Sequence, residues 1–267
     1  MTKASISRAW DETKQIVGRD SRLFVAVGLA LFVLPGTLAG VINPSMLLGT
    51  PPTETGYALL WLAVLIIGLV GRLAAARLAF GSTSVAQAIR EGASRAPVAL
   101  GAMLIFAIPV VLLLMPILPR LLASPEEPDG AAALALLAIM LAALFFFVRL
   151  LFLVIPIVIA EKGNPVGLLK RNWQLTRGNL WRLIGFFLLY LIASGIVGQV
   201  VQMIVGSIIR LVGGAIEPMS VGALILGLAI SIVGAVFAVL FTVMLTRIYV
   251  QLAGSAEAAA SVPSTSD

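Results

Sequence analysis

The stretch LFVAVGLALFVLPGTLAGVI, Leu23–Ile42, runs for twenty residues without a charge. As a helix rising 1.5 Å per residue it spans the ~30 Å hydrocarbon core of a bilayer. Three more uncharged runs of at least that length follow, at Pro97–Pro119, Leu183–Ile209 and Ser220–Thr246. Composition agrees with this reading. Hydrophobic residues make up 60% of the chain, charged residues 11%, and mean hydropathy is +1.10. A soluble domain carries about 25% charged residues, so most of this surface meets something other than water. Lipid offers no partner to a free backbone amide, which leaves helices or a closed barrel. The short alternating segments of a barrel are missing, so the expected fold is all-α and polytopic.

Six transmembrane helices are expected, at about 22–43, 56–80, 97–122, 131–160, 181–211 and 219–250. Together they make one membrane domain over 1–254, followed by an Ala/Ser-rich tail, 255–267, expected to be a disordered cytoplasmic tail. Basic residues set the orientation. Lys3, Arg8, Lys14, Arg19 and Arg22 precede the first span; Arg72, Arg77, Arg90 and Arg95 lie around the second connection; Lys162, Lys170, Arg171, Arg177 and Arg182 fill the fourth. The other three connections hold only Arg120 and Arg210 beside several acids. The basic side is read as cytoplasmic, with both termini there.

Each basic segment also carries an amphipathic pattern. Ile6, Ala9, Trp10, Thr13, Ile16 and Val17 share one helical face in the first; Val85, Ala88, Ile89 and Gly92 do so in the second; Leu168, Leu169, Trp173 and Leu175 in the third. Ser5, Ser84 and Asn164 are placed to cap these helices, with Pro165 at a first helical position. The caps recur about 80 residues apart. A threefold internal repeat is therefore expected, each unit one interfacial helix plus two spans, at about 5–80, 84–160 and 164–250. Such helices lie in the inner-leaflet interface, with Lys and Arg at phosphate headgroups and Trp10, Trp173 and Trp181 at the boundary.

No cysteine and no histidine occurs. Disulfides and thiolate sites are excluded, and so are the commonest metal ligand and general base. No phosphate-binding loop, dinucleotide fingerprint or nucleophile elbow is present, and no acid lies deep in a span. Neither metal nor cofactor is expected. The pI near 10.3 would suit nucleic acid, but the basic residues track one membrane face, so no nucleic-acid partner is expected. Fourteen of the 18 basic residues are arginine, a usage that points to a bacterium with a GC-rich genome and to its inner membrane.

Three arginines stand inside even-numbered spans in similar settings: Gly71-Arg72-Leu73, Val148-Arg149-Leu150 and Thr246-Arg247-Ile248. A charge at mid-span costs about 2.5–3.5 kcal/mol on insertion scales, so it faces protein, water or phosphate. Convergence of Arg72, Arg149 and Arg247 on an anionic headgroup is one reading, with Arg177 and Arg182 adding to it from the rim. Independent snorkelling or capping of helix carbonyls is the other; it suits Arg72 and Arg247 better, whereas Arg149 is the strongest ligand candidate. Gln199 and Gln202 suit interhelical hydrogen bonds. Gly36 and Gly40, with Gly227, Ser231 and Gly234, suit close helix packing.

The segment EKGNPVGLLKRNWQLTRGNLWRL, Glu161–Leu183, carries a longer pattern. Glu161, Gly163, Trp173, Leu175, Thr176, Gly178, Asn179, Trp181 and Arg182 match a run in which one span ends and the next opens. In this it resembles the membrane domain attached to some glycerophosphoryl diester phosphodiesterases, and related six-helix bacterial inner-membrane proteins. Asn172 departs from the pattern, which often has Ser there. The resemblance implies a six-helix membrane bundle. The phosphodiesterase reaction of that family resides in a separate soluble barrel with histidines and metal-binding carboxylates, so it is not expected of these residues. The expected role is non-enzymatic: binding or organising anionic phospholipid, or scaffolding a membrane-protein partner. The alternative is a small-solute transporter or channel, with Gln199, Gln202 and Arg149 along its path.

Overall fold

The computed structural model describes residues 4–44, 55–81, 83–123, 130–161, 163–214 and 216–260. Among them every regular element is helical: α1 (Ile6–Arg19), α2 (Ser21–Gly28), a π-helical turn (Leu29–Val33), α3 (Leu34–Ile42), α4 (Thr55–Phe80), α5 (Val85–Leu114), α6 (Leu118–Ala123), α7 (Gly130–Leu150), α8 (Val154–Ala160), α9 (Pro165–Thr176), α10 (Leu180–Leu211) and α11 (Val221–Ala260). Six are long and apolar enough to cross a membrane: Ser21–Ile42, Tyr57–Phe80, Val85–Leu114, Gly130–Ala160, Leu180–Leu211 and Val221–Gly254. The protein is thus an all-α integral membrane protein. The last helix continues to Ala260, and 261–267, the rest of the expected tail, lie outside the described residues.

Local chemistry accounts for the starts of three helices. Ser5 Oγ accepts the Arg8 N–H, Ser84 Oγ that of Gln87, and Asn164 Oδ1 that of Gly167. Each satisfies one amide that the first turn leaves free. Two of the expected amphipathic helices, α1 and α9, are separate elements. The second is not: α5 runs unbroken from Val85 to Leu114, although Pro97 sits inside it. Ala88, Gly92, Ala96, Ala99 and Ala102 form one buried stripe through the proline. At Gly92 a Cβ would lie 3.1 Å from both Ala74 N and Val70 O, so α4 and α5 touch backbone to backbone. Packing along that stripe outweighs the one hydrogen bond Pro97 removes.

The other prolines act more visibly. Leu34 N–H bonds to Leu29 O, five residues back, just before Pro35. Pro35 has no amide to donate and its ring crowds the carbonyl of Leu31, which the wider π turn accommodates. The fourth span breaks at 151–153, between α7 and α8, four residues before Pro156. There the proline would clash with the Phe152 carbonyl of a continuous helix.

Packing is concentrated at one end of the bundle. Leu73, Phe152, Leu153, Ile157, Leu183 and Ile248 are fully buried there. Phe152 sits among Phe147, Phe186, Phe187 and Phe241 at ring-centroid distances of 5.8–6.4 Å, mostly edge to face. The long helix α10 is less covered, with only Leu183 and Ile209 fully buried along its length. Gly36 of α3 meets Ser231 of α11, where an added Cβ would lie 2.7 Å from the serine oxygen. Gly36 and Ser231 are therefore packing residues, and Gly40 and Gly227 are buried; Gly234, expected to pack with them, is exposed and a Cβ there would meet nothing within 4 Å.

Candidate functional site

The buried end carries a collar of ion pairs. Arg77 Nε of α4 donates to Glu91 Oε2 of α5 at 2.7 Å, and its Nη1 to Gly81 O at 3.1 Å. Arg247 Nε of α11 donates to Glu12 Oε2 of α1 at 2.6 Å, while Glu12 Oε1 accepts from Arg8 at 2.9 Å. Arg171 Nε of α9 donates to Glu161 Oε1 at 2.9 Å, and the Tyr249 hydroxyl of α11 donates to the same oxygen at 2.9 Å. Phe80 meets the Tyr249 ring edge-on at 6.0 Å. All three pairs are about one-quarter exposed.

These pairs recur at one offset. Glu12, Glu91 and Arg171 each stand seven positions after the caps Ser5, Ser84 and Asn164. The third pair has its charges reversed. One position further on, Thr13, Gly92 and Asn172 are all buried, as are Ala9, Ala88 and Leu168 at four positions after the cap.

Burial pushes the Glu12 carboxyl up, but the hydrogen bonds and charges of Arg247 and Arg8 outweigh it and hold the pKa below the ordinary carboxylate value. A carboxyl depressed in the folded state adds stability above its unfolded pKa, and that share is lost as pH falls through the folded value. Glu12→Gln is expected to cost about 1–2 kcal/mol at neutral pH, between the exposed and buried limits for ion pairs. The gap from the parent should close on acidification below the carboxylate range. Thermal unfolding across pH measures this; a gap independent of pH would sink the ion-pair account.

The three candidate arginines occupy three different settings. Arg247 is engaged by Glu12 of α1. Arg149 lies over the Trp173 ring at 4.3 Å, and its Nη1 reaches Trp173 O and Thr176 Oγ1, both at 3.5 Å, in the last turn of α9. A cation there meets the negative end of the helix and the face of an indole. Its Nε is buried without a partner among the described residues. Arg72 is exposed and makes no hydrogen bond or ion pair with another described residue. It lines a cavity of about 390 Å³ with Leu31, Phe32, Leu62, Leu65 and Met103. Of the rim residues, Arg177 is exposed just past α9, and Arg182 Nη1 donates to Ala4 O at 3.2 Å.

The family-type motif builds the connection it sits in. Gly178 has φ +84°, a left-handed turn between α9 and α10 that favours glycine. Asn179 Oδ1 accepts the Ala4 N–H at 2.9 Å, so Asn179 and Arg182 together clamp the chain ahead of α1 onto the start of α10. Thr176 Oγ1 donates to Asn172 O at 2.9 Å. Glu161 ties α9 to α11 as described. Trp173 was expected on the apolar stripe of α9; it stands exposed beneath Arg149, and Asn172 takes the buried position instead. Trp181 is 80% exposed. At Gly163 a Cβ would find only ordinary contact, and nothing in the structure requires glycine there.

Asn172 is the residue that sequence reasoning passed over. Its Oδ1 accepts the Leu153 N–H at 2.7 Å and its Nδ2 donates to Val148 O at 3.2 Å. Both groups lie at the break between α7 and α8, so one side-chain amide splints the interrupted span. Its only sequence signal was the departure from Ser.

Gln202, Ser207 and Arg210 line a separate cavity of about 500 Å³ with Pro44, near the other end of α10. Gln199 is exposed, and neither glutamine hydrogen-bonds to another described residue, so the expected interhelical bonds are not seen among the described residues. Among the described residues no group of acidic, histidine or cysteine side chains is suited to hold a metal.

No curated protein and no solved structure matches this chain. The family model described as the membrane domain of glycerophosphoryl diester phosphodiesterase matches residues 129–264, from α7 through the motif connection to the last helix. That model describes the membrane part of the family and not the catalytic part. With half of its length matched, and with the motif of Glu161–Arg182 inside the match, the chain belongs to the family of glycerophosphoryl diester phosphodiesterase membrane domains.

Proposed function

We propose that this protein is a non-enzymatic component of the bacterial inner membrane that binds and organises anionic phospholipid at its cytoplasmic face, with both termini on that side. The observation that carries this reading is the collar. Acids at that end are consumed in ion pairs, while Arg22, Arg90, Lys170 and Arg177 stay exposed and unpaired among the described residues. Trp10 and Trp181, also exposed, flank them. A ring of free cations beside exposed indoles suits the headgroup region of an anionic leaflet, at about 1 kcal/mol per basic residue. The recurrence of caps, pairs and buried positions at equal offsets supports a threefold repeat, units about 5–80, 84–160 and 164–250, with the rim helices lying in the interface. The alternative of a transporter or channel gains nothing from Arg149, which α9 engages.

Purification in a membrane-preserving polymer, followed by lipid quantification, tests the proposal. Anionic phospholipid is expected above its share of the source membrane. The Arg90→Gln, Lys170→Gln, Arg177→Gln triple variant is expected to lose most of that excess while folding normally. Lipids that mirror the bulk membrane around both proteins would overturn it.

A further inference from the structure

We infer that the cavity at Arg72 is a discrete intramembrane site for one anionic phospholipid, its phosphate on the guanidinium and an acyl chain along the apolar wall. The inference rests on the lipid-binding reading and gives it a location.

Arg72 lies five residues inside Arg77, whose carboxylate partner belongs to the collar. At 1.5 Å per residue that is about 7–8 Å deeper into the span. An arginine below the interface needs an anion or water, because an unpaired charge in hydrocarbon is costly. Arg77, Arg149, Arg171 and Arg247 have partners supplied by the protein. Arg72 makes no hydrogen bond or ion pair with a described residue; Tyr190 of α10 is near enough to feel its charge, and the cavity it lines is largely apolar. The planar guanidinium fork suits a phosphate diester, and a charge this deep is reached by a headgroup only when its chains enter the bundle's side.

The fold is also irregular at this place. Leu31 and Phe32 come from the π-helical turn, and such turns occur often at functional sites. Phe32 reaches Gly71, the neighbour of Arg72, so closely that a Cβ there would lie 2.8 Å from its Cζ. Leu62, Leu65 and Ile66, on the wall of the cavity, are exposed on the outer face of α4. The cavity therefore continues into surface that acyl chains cover. Gly68 lines it too, and a Cβ at Gly68 meets nothing within 4 Å. A leucine there starts from an unobstructed Cβ and is expected to fill the space.

Native mass spectrometry of the whole chain, released from polymer or mild detergent, reads this site directly. The parent is expected to retain one anionic phospholipid through delipidation that strips the annulus. Arg72→Gln and Gly68→Leu are each expected to lose it, and the rim triple variant to keep it. Gly68→Leu keeps the test intact should Arg72→Gln fail to fold. Retention of the same lipid by a folded Gly68→Leu or Arg72→Gln protein would overturn the site. Bulk enrichment without any retained lipid would overturn the site and leave the collar reading standing. No enrichment of either kind would remove both. Displacement of the bound species by inorganic phosphate alone would show an anion held without a chain, and would also overturn the inference.

Discussion

Asn172→Ala is expected to be among the most destabilising single substitutions in this chain. It strands the Leu153 N–H and the Val148 C=O, both of which Asn172 now satisfies in a wholly buried position. Each orphaned buried group costs roughly 1–3 kcal/mol, so the variant should lose about 2–6 kcal/mol. The usual rescue, water at a helix break, is poor here because Phe152, Leu153 and Val154 are themselves buried. Two further variants separate the splint from simple packing. Asn172→Asp keeps the acceptor for Leu153 but, when ionised, offers no donor to Val148. Asn172→Leu keeps the volume and removes both bonds. Both should unfold well below the parent in a thermal assay in membrane-preserving polymer. A leucine variant as stable as the parent would show that the amide bonds contribute nothing and that only volume matters.

Gly92→Leu is expected to have a comparable effect by the opposite route, overfilling instead of emptying. Its Cβ would sit 3.1 Å from Ala74 N and Val70 O and 3.3 Å from Leu73 Cβ. Two of these neighbours are backbone atoms of α4, which cannot rotate away, so the helices must separate. Overpacking of this kind costs about 1–3 kcal/mol and occasionally more. Separation would also stretch the Arg77–Glu91 pair, one residue from the contact. Gly92→Ala, adding the Cβ alone, should fall between the leucine variant and the parent. Gly195→Leu, on the exposed side of α10 with nothing within 4 Å, is the control and should leave the unfolding temperature unchanged. Equal midpoints for Gly92→Leu and Gly195→Leu would mean that α4 and α5 are not in backbone contact.

Asn172 and Gly92 stand at the same offset from their caps, beside Thr13 in α1. All three are buried, yet their chemistry differs. Thr13 returns its hydroxyl to Ala9 O in its own helix, Gly92 admits a neighbouring backbone, and Asn172 repairs a broken span. Burial at that offset was readable for the first two from helical spacing. For the third, spacing favoured Trp173, because an indole is more apolar than an amide. The residue that won has partners in α7 and in the break before α8, twenty-four and nineteen positions away. No periodicity within α9 carries that information.

The sequence alone determined the number and approximate bounds of the spans, the three caps, and the gathering of basic residues on one side. These depend on the length of an uncharged run, on a side chain three residues from an amide, and on counting charges, all local quantities. Tertiary structure alone decided the fates of the arginines. Gly71-Arg72-Leu73, Val148-Arg149-Leu150 and Thr246-Arg247-Ile248 look alike in sequence, and Arg149 looked the most available to a ligand. In the fold, Arg247 is claimed by Glu12, 235 positions away, and Arg149 by Trp173 and the end of α9. Arg72 is left facing a largely apolar cavity, because the helices beside it supply no carboxylate and no hydrogen-bond partner among the described residues. A charge in a membrane is defined by what lies within a few ångströms of it, and in a bundle those neighbours come from other helices.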